Sequence, residues 1–225
     1  MSALARIVPL WLRDVSAQRL RKARVPDYSV IADVSATLQT VLTNAFAPLD
    51  PAAPPIAQIS DLQGNISTDP ARVTIFLFET VEDPSAKNRP RVRVPPPPAP
   101  PPPPPNRIYS QKPPMALLLR YMMTPWSGGW ETDHRLLGRT LQVLYDGAII
   151  SGTQLQGGLA DTDQALKVTL APITLDERAR VWFAIQKPYR LSITYEVRVI
   201  NLDALTVDTA TPVSQRVSRY FGPEA

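Results

Sequence analysis

The chain carries a single histidine, the residue best suited to acid–base chemistry near neutral pH. His134 stands between Asp133 and Arg135, close to the predicted start of a helix. An imidazole in this place has two interpretations: the general base of an enzyme, or a surface residue in the first turn of a helix. We favour the surface residue. An enzymatic function would require that His134, or the pair Asp161 and Asp163, be indispensable.

The other residues contain no pattern that predicts a metal site or a cofactor site. Asp161 and Asp163 share a polar loop, but two carboxylates without further oxygen ligands at a fixed spacing fall short of a calcium site. The glycine pairs at residues 128–129 and 157–158 lack the phosphate-loop and dinucleotide signatures. The absence of cysteine excludes a disulfide framework, a thiolate metal site and a cysteine nucleophile. We therefore predict no catalytic residue, no metal and no cofactor.

Three tryptophans are candidates for binding rather than catalysis. Trp126 and Trp130 flank the Ser-Gly-Gly turn at residues 127–129, where they would either anchor a protein interface or pack against the turn itself. Trp182 lies on an apolar helical face, which indicates a core position. Basic residues do not alternate with aromatic ones in a stripe, so the sequence predicts no nucleic-acid binding.

Hydrophobic periodicity predicts three helices that would carry these residues. The first covers about residues 30–46. A second begins at a cap formed by Thr132 or Asp133 and ends before Gly147; its inward residues are Leu136, Leu137, Leu141 and Leu144. A third covers residues 175–186 and opens with a Thr-x-x-Glu capping box. The residues that it should bury are Leu175, Ala179, Trp182 and Phe183.

Five segments rich in β-branched and aromatic residues predict strands, at residues 56–62, 73–78, 115–123, 165–170 and 190–201. Helices and strands interleave, so the fold class is α/β or α+β, with one mixed β-sheet flanked by helices. A chain of 225 residues with 44% hydrophobic content fits a single domain.

The last predicted strand has the most regular pattern. Apolar residues from Leu191 to Val199 alternate with a polar series, which predicts one buried face and one wet face. Such alternation is typical of an antiparallel or an edge strand. The polar series consists of Arg190, Ser192, Thr194, Glu196 and Arg198.

Residues 95–105, PPPPAPPPPPP, divide the chain, because ten of these eleven residues are proline. Proline fixes φ and has no backbone donor, so the run predicts a polyproline II rod of roughly 34 Å, with basic residues on both sides. It is interpreted as a solvated insertion in the folded domain, or as a contact arm that docks in an aromatic groove of a partner.

Residues 1–27 form a basic extension with an apolar stretch at residues 7–12 that is too short for a signal peptide. Its alternatives are a docking arm, a membrane tether and a start codon placed too early. No window of about 20 apolar residues predicts a membrane span, so membrane contact is expected, if at all, only from this extension. The lack of cysteine suits a reducing cytoplasm.

Four segments together resemble a known family. They are YSVIADVSATL at residues 28–38, PMALLLRYMMTP at 114–125, HRLLGRTLQVLYD at 134–146 and PYRLSITYEVR at 188–198. In order, spacing and residue type they are similar to the cap, or tail-terminator, proteins of bacterial extracellular contractile injection systems, which are phage-tail-like particles. The resemblance covers roughly residues 28–220.

This resemblance implies a structural protein without catalytic residues. It implies a homohexameric ring that binds the sheath and inner-tube proteins at the end distal to the baseplate, stops polymerisation and closes the particle. The implied domains are a basic extension at residues 1–27, a cap domain at residues 28–220 with a proline-rich insertion at residues 84–114, and a tail at residues 221–225. An adaptor that recruits a partner through its polyproline segment is the alternative.

A terminator must satisfy the open strand edges of a growing polymer, so we expect strand addition to contribute to its contacts. The predicted docking edge combines the strand at residues 190–201 with the tail at residues 211–220. The predicted partner-binding residues are the polar series of that strand, the two turn tryptophans and three residues of the tail: Arg190, Ser192, Thr194, Glu196, Arg198, Trp126, Trp130, Val213, Gln215 and Val217.

Overall fold

The computed structural model describes residues 28–96, 107–160, 162–202, 204 and 206–211. The helices are α1 (Val30–Phe46), α2 (Trp130–Asp146) and α3 (Leu175–Ala184). The strands are β1 (Ile56–Ile59), β2 (Arg72–Glu82), β3 (Val92–Arg93), β4 (Ile108–Gln111), β5 (Met115–Trp126), β6 (Ile149–Ser151), β7 (Ala165–Leu170), β8 (Ile193–Leu202) and β9 (Val207–Ala210).

A six-stranded sheet in the order β1-β2-β5-β8-β7-β6 forms the centre of the fold. Strand β1 runs parallel to β2, and every other neighbouring pair is antiparallel. The sheet is therefore mixed, and three helices flank it, which confirms the predicted α/β or α+β class. None of the described helices is long and apolar enough to cross a membrane.

Helices α1 and α2 cover one side of this sheet, the inner face. The apolar residues of α1 recur every four positions, from Val30 through Leu38 to Phe46, and all are almost fully buried. They pack against β5, where the Tyr121 hydroxyl shares a 2.9 Å hydrogen bond with the Ser35 hydroxyl. Burial raises the pKa of Tyr121 to about 12, so this buried group stays neutral.

A smaller apolar cluster lies on the opposite side of the sheet, the outer face. Trp182 of α3 packs there with Met122 of β5 and with Leu62. The predicted capping box is confirmed, since Thr174 and Glu177 exchange hydrogen bonds at the start of α3. The prediction that α3 also buries Leu175 and Phe183 is wrong. Phe183 points about 100° away from Trp182 around the helix, and Leu175 shares the Trp182 side but is the first residue of the helix, two turns away. Ala179 is half-buried.

Helix α2 begins earlier than its sequence predicts. Its N-cap is Gly129, so Thr132 and Asp133 lie inside the first turn instead of capping it. Gly147 follows its last residue, as predicted, and donates its N–H to the Val143 carbonyl. Leu141 is exposed at the helix surface, in contrast to the other three leucines predicted to face inward.

The predicted proline-rich insertion contains two short strands of a second sheet. Strands β3, β4 and β9 form this small sheet, in that order and antiparallel throughout. The polyproline run connects β3 to β4, and its residues 97–105 lie outside the described residues. Val94 precedes this run and Tyr109 follows it, and the Val94 N–H donates to the Tyr109 carbonyl at 3.1 Å. Strand β9 was missed in the sequence because Val207–Ala210 carries no alternating apolar pattern.

The N-terminus of α1 is locked to the loop that follows β6. The Asp33 carboxylate accepts hydrogen bonds from the Ser29 hydroxyl at 2.7 Å and from the Gly158 N–H at 3.0 Å. Gly157 adopts a φ of 62°, and a Cβ at this position would lie 2.0 Å from Asp33 Oδ1. The loop can approach the helix this closely only with glycine here.

Replacing Gly157 with alanine should lower the free energy of unfolding by about 2 kcal/mol, from left-handed strain and from displacement of the Asp33 carboxylate. Gly152→Ala is the matched control, because Gly152 has the same φ of 62° but open space around its Cβ position. It should cost about 1 kcal/mol. Urea unfolding of both variants measures the difference, and equal losses would show that the Asp33 contact contributes nothing.

Candidate partner-binding surface

An aromatic groove opens on the outer face where β5 ends and β8 begins. Trp126 is the last residue of β5, Trp130 the first of α2, and residues 187–191 lead into β8. The groove has a volume of about 580 Å³. Its lining brings together three residues predicted to bind a partner, Trp126, Trp130 and Arg190, of which Arg190 lies 60 or more positions from the other two.

The Arg190 side chain lines the groove and lies over the ring of Trp126. Its guanidinium carbon lies 4.4 Å from the centroid of the Trp126 ring, in cation–π contact. Its Nε donates to the Pro125 carbonyl at 2.9 Å. The Trp126 indole N–H in turn donates to the Thr74 hydroxyl at 3.0 Å. Hydrogen bonds therefore hold both the ring and the guanidinium of this cation–π contact.

Asp133 fixes this arrangement from beneath. Its carboxylate is buried, forms an ion pair with Arg190 at 2.7 Å and accepts a 2.7 Å hydrogen bond from the Ser127 hydroxyl. The Ser127 hydroxyl also lies 2.8 Å from the Gly129 carbonyl and so ties the turn to the helix start. The sequence predicted Asp133 only as a helix cap, since nothing in it shows that Arg190 lies nearby.

The open side of the groove is aromatic and accessible. The Trp130 residue is 73% exposed, and Tyr189 and Leu191 are exposed beside it. Trp182 closes the groove from below, and its indole N–H points to the Ser192 hydroxyl at 3.4 Å. Exposed aromatic rings over a rigid base are typical of the hot spots of protein interfaces.

The polar series of β8 is less exposed than its pattern predicts. Ser192 and Thr194 are buried, because α3 packs over this part of the outer face. Glu196 and Arg198 are half-buried. Strand β8 lies between β5 and β7, which confirms an antiparallel position and excludes an edge position.

This central position corrects the predicted docking edge. Residues Tyr195–Arg198 pair with β5 on one side and with β7 on the other, so their backbone has no open edge for strand addition. Partner binding through the side chains of this strand stays a prediction. Val213, Gln215 and Val217 lie outside the described residues.

A row of alternating charges crosses the outer face beyond α3. Arg120 pairs with Glu79 at 2.6 Å and with Glu196 at 3.0 Å, and Arg198 pairs with Asp83 at 2.9 Å. Burial opposes the ionisation of Asp83, but hydrogen bonds from Ser85 and Arg198 outweigh it and hold the Asp83 pKa below its ordinary value. These charges are neutralised by one another, so they order the sheet surface more than they attract a charged ligand.

A second groove lies between α2 and β7 and is almost entirely apolar. Leu141 and Tyr145 of α2 face Leu170 of β7 across it, and all three are exposed. Its volume is about 670 Å³. No sequence pattern predicts this groove, because the spacing of Leu141 indicates a core position.

Among the described residues, those considered for catalysis lie on the surface in different elements. His134 is exposed, as predicted, but it follows the first turn of α2, because the helix begins at Trp130. Asp163 is exposed in its loop, and Asp161 lies outside the described residues. Within the part of the chain that the structure describes, no group of three or more histidines, cysteines or acidic residues could hold a metal ion.

Comparison with known proteins connects these surfaces to a family. The family model of the Pvc16 N-terminal domain matches residues 33–216. The PVC sheath/tube terminator in its extended state, from an extracellular contractile injection system, superposes with a TM-score of 0.52 at 18% identity, over 89% of this chain and 66% of that one. No curated protein matches the sequence significantly.

A second solved structure shares the fold. The anti-feeding prophage cap, a tube terminating cap, superposes with a TM-score of 0.50 at 13% identity, over 80% of this chain and 59% of that one. The chain thus spans about two thirds or less of the length of these two proteins. At such low identities the likeness confirms the fold.

Proposed function

The chain belongs to the Pvc16 N-terminal domain family, and from this membership we propose that it is a cap that terminates the tube and sheath of an extracellular contractile injection system. The observation that carries the proposal is the family match over residues 33–216, which includes the whole six-stranded sheet. The two neighbours in fold are terminators of such tubes and sheaths.

The edges of the central sheet fit a chain that ends a polymer instead of extending it. Edge strand β1 has four residues and edge strand β6 has three. Short edge strands offer little template for pairing with another chain. Contacts with sheath and tube would therefore be made mainly by side-chain surfaces, and the aromatic groove and the apolar groove are two candidates.

The finer features of the proposal follow the family resemblance. The cap is a homohexameric ring with sheath and inner-tube proteins as partners, it works without catalysis, and it is assembled in the bacterial cytoplasm as part of a particle that is then released. Residues 1–27 form the basic extension of the proposed domain division, residues 28–220 the cap domain and residues 221–225 the tail. The comparisons give no support to the adaptor alternative.

Assembly of particles with and without this chain tests the proposal. Co-expression of the sheath, tube and baseplate proteins without it should give tubes of widely scattered length, because nothing stops polymerisation. Adding the chain should restore a uniform length and place it at one end of each particle. Negative-stain microscopy with an antibody to the chain measures both features.

Two variants serve as controls in the same experiment. His134→Ala and Asp163→Ala alter exposed residues and should leave the length distribution unchanged. A loss of length control in either variant would favour an enzymatic function. Particles of uniform length in the absence of the chain, together with unlabelled particle ends when the chain is added, would contradict the cap function altogether.

A further inference from the structure

Building on the proposed ring, we propose that the polyproline run at residues 95–105 of one copy binds in the aromatic groove of a neighbouring copy. The groove and its ligand are both present in this chain, and their chemistry is complementary. The partner that an aromatic groove would recruit is therefore a second copy of the same protein.

The groove has the features of surfaces that bind polyproline helices. Such ligands lay their rings between parallel or angled aromatic side chains, and Trp126, Trp130 and Tyr189 line this groove. Arg190 fixes the position of the Trp126 ring, and Asp133 neutralises its charge. The binding surface is therefore preformed and largely aromatic, and Lys187, which also lines it, donates a hydrogen bond to the Gly64 carbonyl.

Hydrogen-bonding groups complete the match. A polyproline run presents a carbonyl acceptor at every residue and no backbone donor. The exposed rim of the groove supplies donors, the Trp130 indole N–H and the Tyr189 hydroxyl, and neither is hydrogen-bonded to another residue within the described ranges. The run is also stiff before binding, so little conformational entropy is lost when it docks.

The run is attached too far from the groove of its own copy to reach it, so the contact must join two copies. Strands β3 and β4 attach to the N-terminal end of β5, whereas the groove lies at its C-terminal end, and twelve residues at about 3.3 Å separate these ends by roughly 36 Å. The run leaves and re-enters the fold at the hydrogen-bonded pair Val94 and Tyr109. The fourteen residues 95–108 that lie between Val94 and Tyr109 extend over at most about 50 Å, so this segment reaches at most about 25 Å from the pair.

The small sheet is attached at the end of the main sheet opposite the groove, because β4 leads into Met115 and β9 follows Leu202, which pairs with Met115. The residues of β3 and β9 are exposed and those of β4 are half-buried. Its exposure also fits a segment that is covered only when a second copy is present. We therefore assign the ligand and the groove to different copies in the ring.

Peptide binding to the full chain tests the groove directly. The receptor is the full chain with residues 95–105 replaced by Gly and Ser, and the probe is a fluorescein-labelled peptide of residues 91–109. Fluorescence anisotropy should show saturable binding, which Trp130→Ala should weaken at least about tenfold. A peptide with Gly and Ser in place of the prolines should not bind.

Phe183→Ala is the matched control, because Phe183 is an equally exposed aromatic residue outside the groove. It should leave the peptide affinity unchanged. Absence of binding, or equal weakening by Phe183→Ala and Trp130→Ala, would overturn the assignment of the groove. Because the assay needs no sheath or tube protein, its failure would leave the proposed cap function intact.

A mixing experiment decides between neighbouring copies and one copy. One variant keeps the run and carries Trp130→Ala; the other keeps the groove and carries the Gly and Ser replacement. In the proposed arrangement, each variant alone is monomeric by mass photometry, and an equal mixture forms dimers, in which the intact run meets the intact groove. A mixture as monomeric as its components would overturn the contact between copies.

Discussion

Replacing Trp182 with alanine should lower the free energy of unfolding by about 3–5 kcal/mol, the largest loss expected from any single substitution in α3. Trp182 is 1% exposed and is one of three residues at the centre of the outer-face cluster. Helix α3 has only ten residues and buries no other side chain, so the indole supplies most of its attachment to the sheet. Without it, α3 should detach before the rest of the fold unfolds.

Phe183→Ala is the control for this prediction, because it removes an aromatic ring from the next position of the same helix. Phe183 is 84% exposed, so its loss should change stability by no more than about 0.5 kcal/mol. Urea unfolding followed by far-ultraviolet circular dichroism measures both variants, and amide hydrogen exchange reports the detachment of α3. Equal losses for the two variants would show that the outer-face cluster does not hold the helix.

The contrast between these two aromatic residues also explains where sequence prediction succeeds. Helix α1 was predicted with its observed bounds, because its apolar residues repeat every four positions and the whole stripe is buried. Helix α3 is amphipathic in sequence as well, but only part of its apolar face is buried. Only the tertiary structure decides that Trp182 faces the sheet and that Leu175 and Phe183 face solvent.

The candidate site shows the same limit more clearly. The residue types of the groove were recognisable in the sequence, since Trp126 and Trp130 flank a glycine turn. Their contact with Arg190 and the ion pair of Arg190 with Asp133 join residues 57 or more positions apart, and no local pattern reports such pairs. The alternation of apolar and polar residues identifies a strand but does not show which strands pair with it. The sequence therefore could not place β8 between β5 and β7.

The groove itself depends on one buried carboxylate, and replacing Asp133 with alanine should destabilise the protein by about 3 kcal/mol. The change leaves the Arg190 guanidinium without its ion-pair partner and removes one of the two acceptors near the Ser127 hydroxyl. Arg190 is partly exposed, which keeps the loss near the lower end of the range for buried pairs. Thermal unfolding measures this loss.

Glu131→Ala provides the matched control in the same helical turn. The pair between Glu131 and Arg135 is exposed on both sides and should contribute at most about 0.5 kcal/mol. Asp133→Asn separates the two roles of the carboxylate, because an amide still accepts the hydrogen bond of Ser127 but cannot balance the charge of Arg190.

These three variants connect the fold to the proposed contact between copies. If Asp133 holds Arg190 against the Trp126 ring, Asp133→Asn should weaken binding of the polyproline peptide to the groove. This loss should be seen even at temperatures where the variant is fully folded. Glu131→Ala should change neither stability nor binding. Unchanged binding in Asp133→Asn would restrict Asp133 to a structural role, because the groove would then keep its shape without the ion pair.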